Sequence, residues 1–89
     1  MNTETDNETK ITQSLDAKGL NCPLPILKTK VLLNKMDAGD VLFVEATDPH
    51  SQVDFEAYCA RTKHEIIKFE IINDVYHFYI KRASNPENI

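Results

Sequence analysis

The stretch Gly19-Leu20-Asn21-Cys22-Pro23-Leu24-Pro25 marks the passage from a strand to a helix, and the order of elements around it sets the fold. Proline suits the first helical position, where its missing N–H would have no intrahelical partner anyway. Pro23 therefore reads as N1 and Cys22 as the N-cap. A sulfur placed there lies at the positive end of the helix dipole, which favours thiolate over thiol, and thiolate is the nucleophilic form. The Lys18-Gly19 turn presents the cysteine. Pro23 and Pro25 stiffen its mount, leaving the N–H groups of Leu24 and Ile26 as free donors near the sulfur. The stretch predicts a reactive sulfur on a rigid support.

Upstream, Ile11 to Ala17 reads as a short first strand, and Met1 to about Lys10 as a polar, disordered tail. Downstream, the first helix is expected over Pro23–Met36, with Gly39 in a left-handed C′ position. It carries two stripes. Ile26, Thr29, Leu33 and Met36 form one; Leu24, Leu27 and Val31 form the other on nearly the opposite side, interleaved with Lys28 and Lys35. One stripe must face the core, and a domain this small leaves the other partly exposed. Val41 to Thr47 is a β-branched, apolar strand. Asp48 as N-cap and Pro49 as N1 then open a second helix, in which Phe55, Tyr58, Cys59 and Thr62 share a face opposite Val53, Ala57 and Ala60. Glu65–Ile72 and Val75–Arg82 read as a hairpin around Asn73-Asp74, with Ile67, Phe69 and Ile71 alternating with Lys68 and Glu70. Ser84 to Ile89 is a polar tail.

The order β-α-β-α-β-β predicts an α+β, two-layer sandwich over residues 11–83, a four-stranded mixed sheet with both helices on one face. Eighty-nine residues, 42% of them hydrophobic, suffice for one core but not for a large substrate cavity. Net charge is −4, and without the first ten residues it is −2, which argues against a broad nucleic-acid footprint. Two cysteines 37 positions apart make no disulfide framework, and no C-x-x-C or Cys/His ligand spacing occurs. No metal or cofactor is called for. The acidic N-terminus has no apolar core of a signal segment and no stretch approaches membrane-spanning length, so a cytoplasmic, reducing setting is expected.

At Cys22 the chain resembles the TusA family of sulfur-carrier proteins, also called SirA-like. The likeness runs from about Ser14 to Arg82. It is carried by Leu15-Asp16-Ala17 leading to Gly19-Leu20, by Cys22-Pro23-x-Pro25, by the Gly39-Asp40 turn, by Asp48-Pro49 and by His64-Glu65. The resemblance implies a fold similar to the C-terminal domain of a bacterial translation initiation factor, with Cys22 carrying sulfur as a persulfide. It also implies a cysteine desulfurase or rhodanese-type donor and a downstream acceptor protein, in tRNA thiolation, cofactor synthesis or sulfur metabolism. Several relatives carry glycine where this chain has Lys63.

Beside Cys22, the stripe of Leu24, Leu27 and Val31 with Lys28 and Lys35 reads either as packing with solvated lysines or as a docking face for an acidic partner. Cys59 reads as core. His64 is expected to be hydrogen-bonded at a strand start, and His50 and His77 to face solvent. Asp48 and Asp54 are explained by their places at a helix N-terminus. A sulfur carrier, monomeric and free of membrane or direct nucleic-acid contacts, is the leading reading, a carrier rather than a free-standing enzyme. The alternatives are a thiol redox protein pairing Cys22 with Cys59, and a regulatory interaction domain.

Overall fold

The structure, a computed structural model, describes residues 11–84. The tails expected at 1–10 and 84–89, Ser84 apart, lie outside the described residues. The elements follow the expected order: β1 (Gln13–Ala17), α1 (Leu24–Asn34), β2 (Val41–Ala46), α2 (Ser51–Thr62), β3 (Glu65–Ile72) and β4 (Val75–Lys81). The sheet runs β1-β2-β4-β3, with β1 parallel to β2 and the other two pairs antiparallel. The mixed character follows from the connections. A helix returns the chain from β1 to a parallel neighbour, whereas β3 and β4 are joined by a turn short enough only for an antiparallel pair.

Alternation along β2 separates the faces. Leu42, Val44 and Ala46 are fully buried, opposite Ile80, Phe78 and Tyr76 of β4. Leu33 of α1 and Phe55, Tyr58 and Cys59 of α2 join the same core. Phe55 stacks on Phe78 with ring centroids 4.5 Å apart, a pairing worth about 0.5–1.5 kcal/mol beyond its buried area. The opposite sheet face is a strip of Phe43, His77 and Tyr79 edged by Lys18–Glu45 and Lys68–Glu70 ion pairs.

Four local expectations need correction. The helix α1 ends at Asn34 with Lys35 as its C-cap, so Gly39, at φ +88°, serves the turn into β2 and not the helix end. Its N–H donates to the Arg82 carbonyl at 3.0 Å, tying that turn to the end of β4. In β3 a register shift between Ile66 and Lys68 breaks the simple alternation, so Ile66 rather than Ile67 faces Ile80 on the core side, with Phe69 facing Phe78. A bulge adds one residue and moves every side chain before it to the other face. His77 is half-buried in the outer strip rather than solvent-facing, its ring edge-on to Phe43. Both helices also begin later than expected, as described below.

The readings of the hairpin turn and of His64 hold. Asn73 and Asp74 both take positive φ, 52° and 67°, as a two-residue hairpin turn that follows strand twist requires. His64 is buried and its Nδ1 accepts the Ala83 N–H at 3.0 Å. At the end of α2, Lys63 occupies a left-handed conformation, φ 75°, and its N–H donates to the Cys59 carbonyl. No helix among the described residues is long and apolar enough to cross a membrane.

Candidate functional site

The parallel pairing of β1 and β2 places the loops that follow them side by side. Ala17, the last residue of β1, is level with Ala46, the last of β2. Beyond Ala17 the chain turns at Gly19, which takes φ +83° and donates its N–H to Thr47 Oγ1 at 2.9 Å. The first loop is thus tied to the second before it reaches Cys22. The tie continues at the cysteine itself, whose N–H donates to Asp48 Oδ2 at 2.7 Å.

The first helix starts one residue later than the spacing of the prolines suggests. Pro23 is the N-cap, because its carbonyl accepts the Leu27 N–H at 3.0 Å, and Pro25 sits at the second helical position. Neither proline costs the helix a bond, since the first four N–H groups lack partners in any case. The Leu24 N–H is not free; it donates to the Asn21 carbonyl at 2.8 Å. Cys22 therefore lies one residue outside the cap. Pro25 is buried and Cys22 exposed, so the pair of prolines divides into an anchor toward the core and a support at the surface.

The second helix is also capped differently. Its N-cap is His50, not Asp48. Asp48 lies two residues ahead, its side chain only 8% exposed, and uses both oxygens. Oδ1 accepts the His50 N–H at 3.0 Å and faces the His50 ring at 3.2 Å, while Oδ2 holds Cys22. These donors, the His50 and Cys22 N–H groups foremost, hold the Asp48 carboxyl below its usual pKa. Asp48 is thus a clasp between two loops.

Asn21, Cys22, Asp48, His50 and Asp54 line a shallow cleft of about 460 Å³. Asp54 shares this cleft with the Cys22 thiol, and its carboxylate foremost, with desolvation and the negative charges of Asp54 and Asp48, raises the thiol above its ordinary pKa. The expectation of a dipole-stabilised thiolate is therefore overturned in the free protein. Carboxylates in the same cleft outweigh a helix end that begins beyond the next residue, because the dipole's influence fades within a turn. Reading Asp48 and Asp54 only as helix-start residues missed their part in the site. The signal was present: a β-α-β start puts the two loops on one sheet edge, and Asp48-Pro49 follows β2 as Cys22 follows β1.

The remaining site residues fall into two groups. Gly19, Pro23 and Pro25 lie along the loop that positions Cys22. On α1, Thr29 and Leu33 are buried, as is Met36 just beyond its end, and Ile26 packs against the core, while Leu24, Leu27 and Val31 are 44%, 51% and 52% exposed. That exposed stripe, with Lys28, Leu15 and Leu32, lines a shallow apolar groove; Lys35 lies outside it at the helix end. Cys59 belongs to the core, and burial pushes its thiol up to about 12. No cluster of His, Cys, Asp and Glu suited to a metal ion occurs among the described residues.

A family model described as Sulfurtransferase TusA matches residues 13–82. The chain is 49% identical over 71 residues to the sulfur carrier protein TusA of Allochromatium vinosum, covering 80% of this chain and 93% of that protein. Among solved structures, the SirA-like protein of Desulfitobacterium hafniense superposes with a TM-score of 0.72 at 22% identity, over 80% of this chain and 97% of the other, and shares the fold. With a family model spanning nearly every described residue, this chain belongs to the TusA family of sulfur carriers.

Proposed function

We propose that Cys22 carries sulfur as a persulfide, accepting it from a donor protein and passing it to an acceptor in a sulfur relay. The observation that supports this most directly is the contrast between the cysteines: one exposed in a cleft on a stiff loop, the other sealed in the core. The chemistry is attack of the Cys22 sulfur on the outer sulfur of a donor persulfide. A new S–S bond forms, the donor's S–S bond breaks, and the donor cysteine leaves as thiolate and takes up the proton lost from Cys22. The donor is a cysteine desulfurase or a rhodanese-type protein. The acceptor serves tRNA thiolation, cofactor synthesis or sulfur metabolism, and the setting is the cytoplasm.

The exposed stripe of Leu24, Leu27 and Val31 beside the sulfur is the docking face in this reading, with Lys28 and Lys35 meeting acidic groups of the partner. It begins two residues from Cys22, so a protein seated on it brings its own sulfur to the cleft. A redox pairing with Cys59 has weaker support, since a buried thiol near 12 is almost never ionised at neutral pH.

Intact-mass measurement after incubation with a cysteine desulfurase and cysteine, or with a rhodanese and thiosulfate, tests the proposal. Added sulfur that reductant removes, lost in Cys22→Ser and kept in Cys59→Ser, is the expected result. Absence of added sulfur from both donors sinks it. Charge reversal at Lys28 and Lys35 should slow loading without unfolding the domain; unchanged rates would remove the docking face.

A further inference from the structure

A sulfur meant to attack another sulfur would ordinarily be set among positive groups, yet the charged and titratable groups lining the Cys22 cleft are Asp48, His50 and Asp54. The two carboxylates are differently employed. Asp48 is occupied on both oxygens by the His50 and Cys22 backbones and by the His50 ring. Asp54, one turn into α2, lines the cleft beside the Cys22 thiol, the reacting group, and its carboxylate disfavours loss of the thiol proton. Its backbone N–H donates to the His50 carbonyl at 3.0 Å, which fixes its place in the first turns of α2.

We propose that Asp54, in the cleft beside Cys22, makes the site selective by charge: its carboxylate guards the sulfur against anions, and a cationic group on the sulfur donor relieves that guard. This rests on the reading of Cys22 as the sulfur-carrying atom and adds the chemical class of donor that suits it. With Asp54 unpaired, loss of the thiol proton would leave two negative groups in the same cleft. A lysine or arginine beside the donor's persulfide pairs with Asp54, removes that repulsion, and lets the Cys22 proton pass to the departing donor thiolate. Anionic small molecules meet the opposite situation. Their charge adds to that of Asp54 and Asp48, so they approach slowly and do not release the proton. The guard therefore favours transfer between proteins over loading or oxidation by free anions.

Three methanethiosulfonates differing in charge (methyl, 2-aminoethyl and 2-sulfonatoethyl) test this without any sulfur donor. In each, Cys22 sulfur bonds to the sulfenyl sulfur and methanesulfinate leaves with the bonding pair. Wild type is expected to react faster with the cationic than with the anionic reagent, the ratio shrinking as salt rises. Each unit by which Asp54→Asn lowers the thiol pKa raises the thiolate fraction about tenfold, and reduced nucleophilicity returns about a threefold loss. The neutral reagent should therefore react about threefold faster at pH 7 per unit. The pH-rate profile should move to lower pH and the cation-to-anion ratio should fall by a similar factor. Glu56→Gln, removing the same charge from the exposed side of α2, should leave all three rates unchanged. Equal ratios and pH profiles in wild type and Asp54→Asn overturn the proposal, and so does a Glu56→Gln effect as large as that of Asp54→Asn. Failure of the carrier reading would appear separately, as absence of sulfur loading with these charge preferences intact.

Discussion

The Cys22 end of the molecule and the Cys59 interior hold the same chemical group in opposite circumstances. Cys22 stands exposed where two parallel strands end, its loop fastened by hydrogen bonds from Gly19 to Thr47 and from Cys22 to Asp48. Cys59 lies among Phe55, Tyr58 and the strand residues Val44 and Phe78 of the core. Both thiols are raised above their ordinary pKa, but for different reasons. Cys22 is raised foremost by the Asp54 carboxylate at an exposed cleft, whereas Cys59 is raised by burial in the core. The difference teaches that availability, rather than intrinsic acidity, separates a sulfur that a partner can reach from one sealed in the core. The same division runs along α1, with Leu33 fully buried and Leu27 half exposed.

The largest expected effect breaks the comparison outright. Cys22→Ser should abolish labelling of the folded protein by a neutral thiol reagent, while Cys59→Ser leaves it unchanged and Cys59 labels only after denaturation. Labelling of Cys59 in the native state would show that the interior opens. Truncation on the two faces of α1 comes next. Leu33→Ala should cost about 2–5 kcal/mol in denaturant unfolding, from lost burial and the cavity left behind. Leu27→Ala should stay within about 0.5 kcal/mol. Similar losses at both would mean that the outer stripe packs after all.

A smaller effect sharpens the interior side. Burial, with the positive charge of Arg82 beyond it, holds the His64 ring below its ordinary pKa of 6.5. The neutral ring accepts the Ala83 N–H, and protonation would turn that acceptor into a donor. The folded state thus binds the proton less readily than the unfolded chain. Stability from this group is complete above about pH 6.5 and declines as pH falls from there through the folded-state pKa. Thermal unfolding of His64→Gln should show a flatter dependence than wild type between pH 7 and 5. Parallel curves would remove His64 as the source.

Much of this was legible along the chain because it depends on neighbours in sequence. The Pro23 and Pro25 pair announced a helix, Val41–Ala46 a buried strand, and Asn73-Asp74 a tight turn, each through local backbone preference. The helix starts were less legible. Asp48 is a capping type at a capping position, but its oxygens were drawn to the Cys22 and His50 N–H groups, and His50 became the cap. The bulge at Ile67 was likewise hidden, since an apolar residue at either register satisfies the pattern in a strand this rich in isoleucine.

The amino-acid sequence by itself determined the element order, the membership of Phe55, Tyr58 and Cys59 in one helix face, and the singling out of Cys22, because periodicity and proline act over a few residues. Only the tertiary structure decided which stripe of α1 met the sheet and what surrounded the sulfur. Those depend on which loops the parallel β1–β2 pair brings together, and Asp48 and Asp54 reach Cys22 from 26 and 32 positions away. A dipole argument made from adjacent residues had no means of including a carboxylate delivered by the next loop.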